Sequence, residues 1–168
     1  RLLDIALSDQ FVYVLKSAGV ARLSHELVLD ASFTSIGIIQ EDGAIEIGPN
    51  GDLLIAQYGS TVRRYNAGGQ PLGNLASTPA LVKAVDVASD GTEVFVVSVD
   101  GNSSQYSILR YSATGTFSGT LVGGLPFNPN STSRPRIDVG RSPSRGNTGQ
   151  FLVLSDPLSG IVRYVNLS

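Results

Sequence analysis

Val20-Ala21-Arg22-Leu23, Val62-Arg63-Arg64-Tyr65, Ile108-Leu109-Arg110-Tyr111 and Ile161-Val162-Arg163-Tyr164 are four versions of one phrase. Upstream of each stands a second shared phrase: Leu3-Asp4-Ile5-Ala6, Ile45-Glu46-Ile47-Gly48, Val85-Asp86-Val87-Ala88 and Ile137-Asp138-Val139-Gly140. Successive arginines are 42, 46 and 53 residues apart, and the acids 42, 40 and 52 apart. A unit of about 40–50 residues holding several short strands is the period of a β-propeller blade. The expected fold is therefore all-β: one propeller domain or segment of four-stranded antiparallel blades, with approximate limits 1–40, 41–80, 81–125 and 126–168. The fourth copy stops after its third strand.

Turn chemistry supports the division. In the second repeat a strand ends at Pro49-Asn50-Gly51-Asp52, a turn rich in residues that accept positive φ. Further strands are expected at Leu53-Leu54-Ile55-Ala56-Gln57-Tyr58, Thr61-Val62-Arg63-Arg64-Tyr65 and Pro71-Leu72-Gly73-Asn74-Leu75. In the first repeat the fourth strand is expected over 26–31, and Gly68-Gly69 and Gly123-Gly124 read as turns. The runs Phe11-Val12-Tyr13-Val14-Leu15, Glu93-Val94-Phe95-Val96-Val97 and Phe151-Leu152-Val153-Leu154 are almost continuously apolar. Strands with both faces buried read that way, as blade centres sandwiched between neighbours do.

Composition excludes several function classes. With 12 basic and 14 acidic residues the net charge is −2, which gives no clustered positive field for nucleic acid. Arg134, Arg136, Arg141 and Arg145 make one local basic stretch, broken by Pro135, Pro143 and Gly146, that reads as a solvated insertion. There is no Cys, hence no disulfide or thiolate metal site. No apolar run is long enough to insert in a membrane. The chain begins at Arg1 and contains no Met, so it reads as a processed or truncated piece of a longer product. Sequons at Asn102, Asn130 and Asn166 fit a secreted or cell-surface glycoprotein.

The stretch from Ala44 through Asp52 to Ala56, followed by Val62-Arg63-Arg64-Tyr65-Asn66-Ala67-Gly68-Gly69, resembles a blade of the NHL-type propellers and the related lactonase-like superfamily. The stretch Ile108-Leu109-Arg110-Tyr111-Ser112-Ala113-Thr114-Gly115 is similar to the later half of such a blade. This resemblance implies an architecture common in extracellular binding proteins, closed with five to seven or more blades. Four copies are fewer than that, so the chain is expected to belong to a larger propeller or an assembly.

Asp4, Glu46, Asp86 and Asp138 fall on the innermost strand of each blade and are expected to converge on the central channel. Carboxylates converging there suit a hard cation such as Ca²⁺; the plainer role is to accept backbone N–H bonds. The recurrent Arg22, Arg64, Arg110 and Arg163 read as packing and interblade ion-pair positions. His25 is the only histidine, has no nucleophile motif around it, and is expected at the surface or an edge. The reading is a non-catalytic binding or structural module that contacts protein or glycan through the loops at 100–104, 126–135 and 141–149, with no catalytic residue and no cofactor. The alternative is a metal-dependent hydrolase or lactonase whose channel carboxylates hold the ion.

Overall fold

The computed structural model describes residues 1–37, 43–56, 61–75, 83–100, 102–126, 128, 134–141, 150–156 and 160–167. Among them every sheet is antiparallel and follows chain order. Blade 1 is β1 (Leu2–Leu7), β2 (Val12–Lys16) and β3 (Gly19–Leu23). Blade 2 is β4 (Ala44–Ile47), β5 (Leu53–Ala56), β6 (Val62–Tyr65) and β7 (Pro71–Asn74). Blade 3 is β8 (Lys83–Ser89), β9 (Glu93–Asp100), β10 (Gln105–Ser112) and β11 (Phe117–Pro126). Blade 4 is β12 (Arg136–Arg141), β13 (Gln150–Asp156) and β14 (Ile161–Asn166).

The first strands are innermost: β1 packs beside β4, β4 beside β8, and β8 beside β12. Among the described residues no comparable packing brings β12 back to β1, so the four blades form an unclosed propeller-type array. Between consecutive blades lie three apolar cores. Ala6, Tyr13, Leu15 and Val20 of blade 1 meet Ile45, Leu53, Ile55 and Tyr65 of blade 2. Ala44, Leu54, Ala56 and Val62 then meet Val87, Val94, Val96, Leu109 and Tyr111 of blade 3. Ala88, Phe95, Val97, Val99 and Ile108 meet Ile137, Leu152 and Leu154 of blade 4. Each blade thus has a leading face toward the next blade and a trailing face toward the one before. Alternate side chains of a strand take opposite faces. Val94 and Val96 therefore face blade 2, while Phe95 and Val97 face blade 4.

This explains the apolar runs and limits them. β5 is buried at all four residues and β9 from Val94 to Val99, because both of their faces are covered. In β2 and β13 burial alternates: Tyr13, Leu15, Leu152 and Leu154 are buried, while Val12, Val14, Phe151 and Val153 are half-buried. Among the described residues the end blades have one covered face each.

Two local expectations are corrected. Residues 26–31 form no fourth strand; they leave only the isolated bridge Leu23↔Leu29, and a second bridge joins Val20 to Ile36. The turn there is held by Ser24, whose carbonyl accepts from Leu27 N–H and whose own N–H donates to Val28 O. Gly123 and Gly124 lie inside β11, where the register with β10 shifts between Tyr106 and Ile108; they supply a bulge, not a reversal. Gly69 is a true turn glycine. Its φ is +87°, and a Cβ there would strike the Thr34 carbonyl of blade 1 and come within 3.1 Å of the Phe33 ring.

Phe95 is fully buried between blades 3 and 4, whereas Phe117 on the outer strand is 37% exposed. Urea unfolding should show Phe95→Ala losing about 3–5 kcal/mol and Phe117→Ala about 1 kcal/mol or less.

Candidate site at the central opening

The four repeated acids do come together. Asp4, Glu46, Asp86 and Asp138, with Arg136, line one opening of about 390 Å³ at the inner edge of the blades. Their oxygens are engaged with main chain. Asp4 Oδ2 accepts from Ile45 N–H of blade 2 at 2.9 Å, and Asp86 Oδ2 accepts from Ile137 N–H of blade 4 at 2.7 Å. In both cases the acid of one blade captures the first residue of the next blade's phrase. Glu46, one methylene longer, folds back onto Ile47 N–H at 2.7 Å. Asp138 bonds its own neighbour Val139 N–H at 2.7 Å. Among the described residues, no three carboxylates or imidazoles group closely enough to share a metal ion.

Burial dominates the electrostatics. It pushes the Asp86 carboxyl up to about 7, against the pull of Arg136, 3.4 Å away, and of Ile137 N–H; Asp4 raises it further. Burial likewise pushes Glu46 up to about 7, its Ile47 N–H bond opposing and Asp138, Asp4 and Asp86 adding like charge. The opening is thus a cluster of carboxyls that resist ionising together. Arg136, which the sequence places in a solvated insertion, begins β12 and is the counter-ion of Asp86. Residues 142–149, which hold Arg145, lie outside the described residues.

Three of the four repeated arginines, Arg22, Arg64 and Arg110, form ion pairs within a blade, not between blades. Arg22 grips Asp30 Oδ2 at 2.6 and 2.9 Å, Arg64 meets Asp52 at 2.6 Å, and Arg110 meets Glu93 at 2.6 Å. What crosses to the next blade is a bond to a turn carbonyl. Arg22 Nη1 donates to Ala67 O at 2.7 Å, and Arg64 Nη1 to Thr114 O at 3.4 Å. The Arg22 guanidinium also lies 4.1 Å from the Phe11 ring centroid. Sequence reading missed Asp52 and Glu93 as partners. Their signal was available: each is the acid immediately before the second strand's apolar run. Arg163 departs from the set. It stands opposite Leu154, a trailing-face residue, whereas Arg22, Arg64 and Arg110 stand opposite the leading-face residues Tyr13, Leu54 and Phe95. One residue of slip in register turns the side chain to the other face.

His25 is exposed, its Nε2 3.0 Å from Ser8 O. Asn102 lies exposed in the turn after β9, and Asn166 is exposed at the end of β14; Asn130 falls outside the described residues.

No protein-family model matches the chain, and no curated protein is significantly similar to it. Solved structures share the fold. A Bacteroides thetaiotaomicron structural-genomics protein of unknown function superimposes with a TM-score of 0.66 at 12% identity, over 97% of this chain and 46% of that one. The extracellular domain of a hybrid two-component system from the same organism gives a TM-score of 0.56 at 10% identity, covering 99% of this chain and 22% of that one. A chain of a nidogen/laminin complex gives 0.56 at 14% identity, with 99% of this chain and 78% of that one covered. The chain spans less than half the length of the two bacterial proteins. At such identities the likeness is one of fold, and what stands of the NHL-type and lactonase-like resemblance is the blade architecture.

The raised carboxyls give a signed pH dependence. A folded-state value of about 7 against an ordinary 3.8 for Asp86 and 4.5 for Glu46 means the native state holds protons that the unfolded chain releases. Urea midpoints should therefore fall as pH rises from about 4 to 7 and level off above. Asp86→Asn and Glu46→Gln should each flatten that slope, with the largest gain in stability near pH 8. A profile that both variants leave unchanged contradicts the assignment.

Proposed function

We propose that the chain is a non-catalytic binding or structural module of an extracellular or surface protein, meeting protein or glycan partners through the loops at the blade rims. The observation that carries this reading is the use of Asp4 and Asp86: their carboxylates hold neighbouring blades through main-chain bonds, an architectural task rather than a chemical one. Its fold neighbours, an extracellular domain and a chain of a protein–protein complex, support the same class.

The rims offer contact surface. The turn at Asn102, Ser103 and Ser104 is exposed and polar. A cleft of about 380 Å³ lies between Leu7, Ser8, Asp9 and Gln10 of blade 1 and Gly51 and Ala67 of blade 2. Phe11, Tyr13 and Ile47 also line this cleft, so polar groups stand beside aromatic and apolar surface, a combination that suits a sugar ring or another protein's loop. If the chain passes through a eukaryotic secretory pathway, exposed Asn102 carries a glycan, which intact-mass measurement of native material reads directly.

Two measurements separate this reading from a metal-dependent hydrolase. On a glycan array and a panel of extracellular proteins, binding above background should appear. Replacing Asn102, Ser103 and Ser104 by Ala, or Asp9 and Gln10 of the blade 1 cleft by Ala, should reduce that binding at least about tenfold. Elemental analysis should find no stoichiometric metal. A Ca²⁺ ion retained at one per chain and lost on Asp86→Asn, with turnover of lactone substrates, would overturn the proposal.

A further inference from the structure

One junction between blades departs from the other two, and it is the one that holds the cleft. Between blades 2 and 3 the turn from β4 to β5 is tied across: Asn50 Nδ2 donates to Ala113 O at 3.1 Å. Between blades 3 and 4, Gln150 Nε2 donates to Asp90 O, in the turn from β8 to β9, at 3.3 Å. Between blades 1 and 2 the polar side chains of the turn from β1 to β2, Asp9 and Gln10, are exposed and make no hydrogen bond or ion pair among the described residues. A carboxylate that only accepts and an amide that both donates and accepts thus stand side by side on the wall of the cleft, with no structural bond to make.

Their surroundings are fixed. The turn is closed by Ser8 N–H on Phe11 O and by Phe11 N–H on Ser8 Oγ, both at 3.0 Å. Phe11, half-buried on the same wall, has the Arg22 guanidinium 4.1 Å from its ring centroid and the Tyr13 ring edge-on at 6.3 Å. Arg22 is itself buried and held by Asp30. Deeper in, the Tyr13 hydroxyl donates to Ala67 O at 3.2 Å and joins the two blades. On the blade 2 side, Gly51 at φ +74° has open space within 4 Å of where a Cβ would stand, so its main chain can be approached closely. A site set in advance loses little freedom on binding.

We infer that this cleft takes one neutral sugar ring, its C–H face against Phe11 and two adjacent hydroxyls on Asp9 and Gln10. The inference rests on the reading of the chain as a protein- or glycan-binding module and commits this site to glycan. A sugar ring requires an apolar patch for its C–H face and, beside it, acceptors and donors for neighbouring hydroxyls; the cleft supplies both. A peptide strand is poorly served, because the turns bond their own main chains, Ser8 to Phe11 and Gly48 to Asp52, and leave no edge to extend. A volume of about 380 Å³ is at the small end of ligand pockets, which suits a single ring. Charge selects further. Asp9 is the one charged side chain lining the cleft among the described residues, so acidic sugars are repelled.

The test is an NMR titration of the 168-residue chain with methyl glucoside, galactoside and mannoside, and with N-acetylneuraminic acid as the acidic control. At least one neutral glycoside should shift the Asp9, Gln10, Phe11 and Gly51 amides saturably, and the acidic sugar should not. Asp9→Ala, Gln10→Ala and Phe11→Leu should each weaken that glycoside at least about tenfold. Asp9 and Gln10 are exposed turn residues, so their variants keep the fold by circular dichroism even if Phe11→Leu does not. Glycosides that shift only Asn102, Ser103 and Ser104, or a protein partner that alone is lost in Asp9→Ala, overturn this inference and leave the wider binding-module reading standing. No saturable shift with any neutral glycoside overturns it likewise. A stoichiometric metal with lactone turnover would bring down both.

Discussion

Face-to-face packing of the blades, pinned at the inner edge of two of the three junctions by an acid of one blade bonded to an amide of the next, is the constraint on which this structure depends. The apolar cores supply the driving force. A fully buried Phe95 or Tyr111 is worth several kcal/mol, and each core contains many such side chains. Yet apolar burial is non-directional and would tolerate sliding of one blade over another. The bonds from Asp4 to Ile45 and from Asp86 to Ile137 set the offset, and Arg22 and Arg64, reaching the turn carbonyls of Ala67 and Thr114, set it again at the outer side.

This arrangement has an electrostatic cost. Placing an acid at the same point of every first strand, though only Asp4 and Asp86 pin a neighbouring blade, gathers four carboxyls around a single opening, where burial and mutual repulsion push Glu46 and Asp86 up to about 7. Arg136 offsets part of it beside Asp86. A protonated carboxyl still accepts an N–H bond through its carbonyl oxygen, so the latch survives the loss of charge. The chemistry of the opening is therefore that of a structural seam whose strength varies with pH.

Most of the fold was legible because a repeat declares itself twice, in the sequence and in the blade. The paired phrases marked the first and third strands of every blade, and the acids converged as their common position required. What escaped the sequence depended on register and neighbours. Arg163 has the same local phrase as Arg64 but the opposite face, since strand register is fixed by pairing across the sheet. Gly123 and Gly124 look like a turn, yet a bulge uses the same residue. Residues 26–31 have strand composition but meet no continuous partner edge, so only a bridge forms. Arg136 was hidden because its partner Asp86 lies 50 residues away in sequence.

Amide hydrogen exchange at Ile45 and Ile137 tests the central claim most directly. If carboxylates of the preceding blades hold these N–H groups, both should exchange only on opening of the junction between blades. Asp4→Ala should then release Ile45 alone and Asp86→Ala should release Ile137 alone, each by a local gain of about 1–3 kcal/mol in opening equilibrium. Amides that exchange as fast as exposed turn residues in the native chain, or that ignore both substitutions, would contradict the account.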